Sequence, residues 1–171
     1  CSAFVKLLPD NSDVFFGHNT WDAYDSLGPR ILKKIHFPLW QTNSASASAS
    51  ASASAAPLVQ YTTLFSSSPA VLSSIDDFFV VRGLGHMGVQ ETTNSLYNLK
   101  VLNTIIPQTA LSWQRATAAN QLSASGSAWA ANFAKFSSGT YTNQWMVLDS
   151  KLFTPGTPPP PHTLTVLEEM P

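Results

Sequence analysis

Charge, cysteine and long apolar runs are all scarce in this sequence of 171 residues. Charged residues make up 11%, against roughly 25% in an average soluble domain, and nine basic residues nearly balance ten acidic ones. This balance argues against a nucleic acid or an anionic membrane as a partner, since many basic groups would be needed to hold either one. No run of about 18 apolar residues is present, so no transmembrane segment is expected. The opening CSAFVKLL lacks the basic region of a signal peptide, and we expect no targeting signal in this chain.

Metal ligands and cofactor motifs are equally scarce. The four histidines show no ligand spacing and only one thiol exists to join them, which predicts no metal centre. Residues 83–88, GLGHMG, match the dinucleotide fingerprint G-x-G-x-x-G, but the β-favouring stretch VQETT follows in place of a helix. We therefore predict a turn between two strands there, and no cofactor. Residues 123–128 lack the G-x-S-x-G context of a serine hydrolase.

Apolar residues are plentiful, at 44% of the chain, and predict one domain or part of one. Residues 24–35 are predicted to be helical in part, with a break at Gly28 and Pro29. Residues 44–56 alternate serine and alanine almost strictly, which is typical of a linker or surface insertion. Strands followed by helices and then by strands favour the α+β class. The predicted strands are 58–65, 75–81, 89–93, 141–148 and 163–167, and the predicted helices are 111–122 and 127–136.

The amino-terminal residues predict a β-hairpin. Residues 1–8 and 14–16 are strand-like, and the turn-forming residues 9–13 join them. The hairpin brings residues 18–21, HNTW, back alongside Cys1. Because a strand alternates its faces, either His18 and Thr20 or Asn19 and Trp21 share the face of Cys1. The sequence does not decide between these two registers.

The only cysteine is residue 1, where a thiol and the α-amino group belong to one residue. A free thiol titrates near pH 8.5 and a free α-amino group near 7.7 to 8.0, so the amine is a suitable base for the thiol. One residue then supplies both the nucleophile and the base for acyl transfer. The alternative is that Cys1 is a small buried hydrophobic residue.

Other polar residues permit both functional and structural interpretations. His18 either orients the thiolate or a substrate, with Trp21 as an apolar wall, or is a satisfied polar residue at a strand end. Residues 91–93, ETT, are either site residues or part of a surface strand. The amides and hydroxyls of residues 139–145 form either a structural network or an edge that contacts substrate. Adjacent Asp76 and Asp77 point to opposite faces of a strand, which predicts one solvated and one hydrogen-bonded carboxylate.

Six motifs occur in an order that resembles the phospholipase B-like, or lamina-ancestor, family of lysosomal and secreted proteins. They span nearly the whole chain apart from residues 44–56. The motifs are CSAFVKLLP at 1–9, HNTW at 18–21, SIDDFF at 74–79, ETT at 91–93, SGTYTNQWM at 138–146 and LTVLEEMP at 164–171.

The resemblance implies an N-terminal nucleophile hydrolase with a four-layer αββα sandwich, in which autocatalytic cleavage of a precursor makes cysteine the first residue. By this resemblance Cys1 is the nucleophile, while His18 and Thr92 belong to the catalytic site. Trp21, Asn19 and Asn143 are predicted to contact the substrate.

The chain also departs from the family pattern. It resembles the first part of the mature large fragment, so a distal asparagine and arginine of the pocket are absent, and the rest of that fragment and the propeptide-derived small fragment are expected partners. Residues 83–88 form a longer bend than the family predicts. No N-x-S/T sequon occurs, although a glycoprotein is expected from the family.

These observations lead to one functional hypothesis and one alternative. The hypothesis is a lysosomal or extracellular cysteine hydrolase that cleaves an amide or ester bond of a lipid-like or N-acyl substrate. The alternative is a non-catalytic member or fragment that binds a lipid or a protein through an apolar cleft.

Overall fold

The structure is a computed structural model that describes residues 1–40 and 57–171. The predicted serine-alanine linker, residues 44–56, lies outside the described residues. No helix within the described ranges is long and apolar enough to cross a membrane. The elements in chain order are β1 (Ser2–Leu7), β2 (Val14–Asn19), a 3-10 helix (Tyr24–Leu27), β3 (Ile31–Trp40), β4 (Pro57–Ser67), β5 (Phe78–Arg82), β6 (His86–Thr93), a second 3-10 helix (Leu99–Thr104), α1 (Ser112–Leu122), α2 (Gly126–Phe133), β7 (Asn143–Asp149) and β8 (Leu164–Glu168).

Strands β1 and β2 form the predicted amino-terminal hairpin. They pair antiparallel, with Ser2 opposite Asn19 and Leu7 opposite Val14. The turn is closed by the Leu8 amide, which donates to the Asp13 carbonyl at 3.0 Å. Asn11 adopts a positive φ of 58° at the centre of this turn, a conformation that asparagine tolerates better than most residues.

Strands β3 to β8 form a six-stranded antiparallel sheet in which each strand pairs with the next one along the chain. The strands predicted for residues 58–65, 75–81, 89–93, 141–148 and 163–167 are confirmed as β4 to β8, except that β5 begins at Phe78 and residues 75–77 precede it. The helical prediction for residues 24–35 is wrong beyond the 3-10 helix Tyr24–Leu27, because β3 begins at Ile31 and pairs along its length with β4. Pairing with a distant segment has overridden the local propensity there.

The G-x-G-x-x-G match is a turn between β5 and β6, as predicted. The Gly83 amide donates to the Gly85 carbonyl at 2.9 Å. Strand β6 follows directly from His86, so the turn presents no helix amino terminus to a phosphate.

Helices α1 and α2 cover one face of the six-stranded sheet. Residues at alternate positions of the central strands point to the helices and form the core with them. Trp129 of α2 is fully buried, stacks on Phe133 at 4.7 Å between ring centroids and contacts Trp145 of β7 at 5.3 Å. The core residues are Tyr61, Phe65, Phe79, Val81, Met87, Val89, Ala116, Ala119, Trp129, Phe133, Trp145 and Val147.

The β1–β2 hairpin packs on the opposite face of the same sheet. The Gln90 Nε2 group donates to the Phe4 carbonyl at 3.2 Å, and the Phe16 ring lies 6.3 Å from the Phe78 ring. A Cβ at Gly88 would lie 2.9 Å from a carbon of the Phe16 ring, so glycine allows the hairpin to approach the sheet closely. The described residues therefore have helices on one side of the sheet and a β-hairpin on the other, an arrangement compatible with the α+β class.

Candidate active site

The hairpin register places His18 and Thr20, rather than Asn19 and Trp21, on the face that Cys1 shares. Ala3 lies opposite His18 in the register, so continued alternation puts Cys1 opposite Thr20 on the inner face of the hairpin. The inner face is the one that contacts the sheet, because the His18 ring stacks on Phe78 at 6.3 Å. Trp21, by contrast, is 70% exposed.

Cys1 is partly buried and its thiol is free. The Thr92 hydroxyl of β6 donates a hydrogen bond of 3.0 Å to the main-chain carbonyl of Cys1. This bond ties the first residue of the chain to the central sheet. Of the predicted catalytic residues, Cys1 and Thr92 are therefore in direct contact.

His18 lies in a half-buried position that changes its acidity. Burial lowers the pKa of His18 below 6.5, and the positive amino terminus also lowers it, while the Glu91 main-chain carbonyl and the charge of Asp76 act in the opposite direction. The imidazole is thus mainly neutral near pH 7. Its Nε2 atom is buried and has no hydrogen-bond partner among the residues that the structure describes. A neutral imidazole can bind a polar substrate group or accept a proton.

A cavity of about 230 Å³ lies between the inner face of the hairpin and strands β4 and β5. Its walls combine aromatic rings with polar groups from the hairpin and from the segment before β5. The lining residues are Phe16, His18, Thr20, Ser66, Asp76 and Phe78. The cavity therefore offers an apolar surface together with an imidazole, hydroxyls and a carboxylate.

Asp76 forms the polar end of this cavity. Its Oδ1 atom accepts a hydrogen bond of 2.8 Å from the Thr20 hydroxyl and one of 3.0 Å from Nη1 of Arg30. The neighbouring Asp77 accepts a hydrogen bond from the Tyr141 hydroxyl. The prediction that one of the two aspartates is solvated is therefore wrong, because each has a side-chain partner from a distant part of the chain.

Asp77, Tyr141 and Glu91 form a second acidic group beside the site. Burial raises the pKa of Asp77 to about 6. Burial and the charge of Asp77 raise the pKa of Glu91, whose side chain is fully buried, to about 7. No contact among these three residues is predicted from the sequence. Asp77 and Tyr141 are 64 positions apart, and no local pattern indicates such a contact.

Asn143 is buried at the start of β7, where it connects backbone segments. Its side-chain Oδ1 accepts from the Asn94 amide at 3.4 Å, and its carbonyl accepts from the Glu169 amide at 3.1 Å. These bonds support a structural network at this position. The predicted substrate contacts of Asn143 and of the exposed Asn19 remain predictions.

No group of three or more histidine, cysteine, aspartate or glutamate side chains within residues 1–40 and 57–171 is arranged to hold a metal ion. Among the described residues, the Thr92 hydroxyl contacts the main chain of Cys1, and the His18 imidazole and the Thr20 hydroxyl lie on the same face of the hairpin as Cys1.

Known proteins resemble this chain along its whole length. The family described as "Phospholipase B" matches residues 1–171. Phospholipase B-like protein G of Dictyostelium discoideum is 41% identical and phospholipase B-like 1 of Homo sapiens 37% identical, in each case over 100% of this chain. Phospholipase B of Crotalus adamanteus is 35% identical over the same span. The chain covers 27% of the first of these relatives and 28% of the other two. By the family match over its whole length, this chain belongs to the phospholipase B family.

Proposed function

We propose that this chain is the nucleophile-bearing part of an N-terminal nucleophile hydrolase. The single observation that carries the proposal is the placement of Cys1. Its backbone is held by Thr92 at 3.0 Å, and it lies on the hairpin face that carries His18. Family membership supports a hydrolase, since the relatives compared above are named as phospholipases B or phospholipase B-like proteins.

The proposed reaction begins with proton transfer from the Cys1 thiol to the α-amino group of the same residue. The thiolate then attacks the acyl carbonyl carbon, and the resulting oxyanion is stabilised by hydrogen-bond donors. The protonated amine gives its proton to the leaving amine or alcohol as the acyl bond breaks, which leaves a thioester on Cys1. Water attacks the thioester and the amine accepts a proton from that water. The C–S bond then breaks, the carboxylic acid leaves, and the protonated amine returns its proton to the Cys1 thiolate.

We propose a lipid-like or N-acyl substrate for this reaction. The aromatic walls formed by Phe16 and Phe78 suit an apolar group, while His18 and Thr20 suit the polar atoms next to the scissile bond. A volume of about 230 Å³ is below the roughly 300 to 1,000 Å³ of most small-molecule sites. We therefore propose that the rest of the large fragment, with a distal asparagine and arginine, and the small fragment complete the pocket and the four-layer αββα sandwich.

The proposal extends to processing and location. We infer that autocatalytic cleavage of a precursor exposes Cys1 and that the mature glycoprotein acts in lipid degradation in the lysosome or outside the cell. Amino-terminal sequencing and intact mass of the natural protein test the first part. A mature large fragment that begins at a residue other than Cys1 would remove the amine from the mechanism.

Covalent labelling of the full-length protein tests the nucleophile. A thiol-directed acylating reagent should label Cys1, and Cys1→Ala and chemical acetylation of the α-amino group should each abolish labelling and turnover. His18→Ala should reduce turnover, whereas His86→Ala is a matched control because His86 is exposed at the start of β6. Turnover that survives in Cys1→Ala would contradict the proposal.

A second candidate function is the binding of a lipid or protein without catalysis. The outer face of the hairpin favours it, because Phe4 is 52% exposed, Phe15 is 49% exposed and Trp21 is 70% exposed. A protein of this kind would bind vesicles or a partner equally well with Cys1→Ala and would show no turnover of phospholipids or N-acyl amines.

A further inference from the structure

We propose that Asp76 is a positioning residue for the Cys1 site, which it organises through Thr20 and His18. The inference rests on the proposed hydrolase function and adds a residue that the sequence assigned only to the start of a strand. Asp76 precedes β5, whereas Thr20 follows β2, so the contact between them joins the sheet to the hairpin.

The geometry around Asp76 is that of a fixed carboxylate. Its side chain is 10% exposed, and its Oδ1 atom accepts from both Thr20 at 2.8 Å and Arg30 at 3.0 Å. The Asp76 amide donates to the Ser74 hydroxyl oxygen at 3.2 Å, and so does the amide of Phe78. A buried carboxylate remains charged at low cost when a guanidinium and a hydroxyl donate to it. Arg30 therefore pairs with the Asp76 carboxylate and holds it in place.

Thr20 transmits this fixed position to the nucleophile. Ser2 is opposite Asn19 in the hairpin, so the next pair along the register is Cys1 and Thr20. The Thr20 hydroxyl donates to Asp76, while the Cys1 carbonyl accepts from Thr92. Cys1, at the start of the hairpin, and Thr20, just after its second strand, are thus each held by a hydrogen bond to a distant part of the chain. The thiol belongs to the first of these two residues.

Asp76 also acts on His18 through its charge, since both side chains line the same cavity. The charged groups that face the imidazole are Asp76, from the segment before β5, and the positive amino terminus, from the start of β1. The Glu91 main-chain carbonyl faces it from β6, and Arg30 is paired with Asp76. The charge of Asp76 favours the imidazolium form, whereas burial and the amino terminus oppose it. The charge of Asp76 therefore partly offsets the lowering of the His18 pKa by burial.

The test separates the charge of Asp76 from its hydrogen bond. In the full-length protein, Asp76→Asn retains an oxygen for Thr20 but removes the charge, and Thr20→Val retains the charge but removes the hydroxyl. The control is Asp149→Asn, at a second buried aspartate, which accepts from the Lys151 amide at the end of β7. The pH dependence of Cys1 alkylation by iodoacetamide, measured by peptide mass spectrometry, and the NMR titration of 13C-labelled His18 are recorded for each variant.

Asp76→Asn should lower the pKa of His18. The part of the Cys1 alkylation profile that follows the titration of His18 should move to lower pH with it. Thr20→Val should leave the His18 titration in place and change the maximal rate of Cys1 alkylation, because the hairpin end that carries Cys1 loses the hydrogen bond of Thr20 to Asp76 and the access to the thiol changes. Asp149→Asn should change neither measurement. An unchanged His18 titration in Asp76→Asn, or an unchanged alkylation rate in Thr20→Val, would overturn the proposal.

The role of Asp76 is tested separately from the proposed hydrolase function. If Cys1→Ala retains turnover, the hydrolase mechanism fails, while the effects on the His18 titration and on Cys1 alkylation still decide the role of Asp76. If Asp76→Asn does not fold, Thr20→Val alone decides it, because valine preserves the shape of threonine and the charge pair of Asp76 with Arg30.

Discussion

The Thr92 hydroxyl donates a hydrogen bond of 3.0 Å to the main-chain carbonyl of Cys1, across 91 positions of sequence. Thr92 belongs to the central strand β6, and Cys1 begins the hairpin that packs on it. The bond acts on the backbone of Cys1 and leaves the thiol free. Thr92 thus fixes the position of the nucleophile without contacting its sulfur.

Thr92→Val should weaken this attachment. Loss of one such bond costs about 0.5–1.5 kcal/mol of unfolding free energy, and a displaced thiol should be acylated at least about tenfold more slowly. Thr92→Ser should restore most of the rate because it retains the hydroxyl. Urea unfolding and the rate of Cys1 acylation measure the two effects. Thr93→Val is the neighbouring control, since Thr93 is exposed, and an equal loss in that variant would argue against a specific role for Thr92.

Gly88 controls how closely the hairpin approaches the sheet. Gly88→Ala would place a methyl group 2.9 Å from the Phe16 ring, and such overpacking typically costs about 1–3 kcal/mol. Because Phe16 lines the same cavity as His18, we expect slower acylation of Cys1 as well.

Adding Phe16→Leu to Gly88→Ala should recover part of the loss, since the smaller side chain makes room for the methyl group. Gly28→Ala is a control, because a Cβ there meets no atom closer than 4.0 Å. Thermal unfolding measures the Tm of Gly88→Ala, of the double variant and of Gly28→Ala. A double variant no more stable than Gly88→Ala would mean that the strain lies elsewhere.

The local features of the fold follow from the sequence more directly than the site does. The turn residues around Asn11 and the apolar runs beside them predict the hairpin, and the glycine-rich residues 83–88 predict the turn between β5 and β6. These signals act over a few residues. By contrast, β3 forms because Ile31 and the residues after it pair with β4. The propensities of the residues of β3 alone do not predict this pairing.

The candidate site depends on such distant contacts. Cys1 is identifiable from its position and His18 from the hairpin, but the register that selects His18 and Thr20 is set by packing against Phe78. Asp76 is hydrogen-bonded to Thr20, which is 56 positions away in the sequence, and to Arg30, which is 46 positions away. A pair of aspartates in a strand-like stretch carries no local sign of either partner, which explains why the sequence predicts solvation for one of them.

The aromatic core under α2 should dominate the stability of the described fold. Phe133 is fully buried between Trp129 and Trp145, with ring centroids at 4.7 and 4.9 Å. Phe133→Ala should cost about 3–5 kcal/mol, whereas Phe136→Ala should change stability by less than about 0.5 kcal/mol, since Phe136 is 75% exposed. Chemical denaturation of both variants measures the difference. Similar losses in the two variants would show that this aromatic cluster is not central to stability.

The carboxyl groups of Asp77 and Glu91 should contribute more to the stability of the fold in acid than near neutrality. Burial raises the pKa of Asp77 to about 6 and that of Glu91 to about 7, so the folded state holds protons that the unfolded state has released. Between about pH 4 and 7 the folded state therefore binds more protons, and the free energy of unfolding falls as the pH rises. Because the two groups interact, the loss belongs to the pair as a whole.

Glu91→Gln should remove part of this dependence, because the amide has the shape of the protonated acid and cannot ionise. We expect the variant to have a higher Tm than the unmodified protein at pH 8 and no such advantage at pH 4, where Glu91 is already neutral. Thermal unfolding at pH 4, 6 and 8 provides the measurement. Glu168→Gln is the control, since Glu168 is exposed and accepts a hydrogen bond from Gln144. If Glu91→Gln and Glu168→Gln follow the same pH curve, burial of Glu91 is not the source of the acid stability.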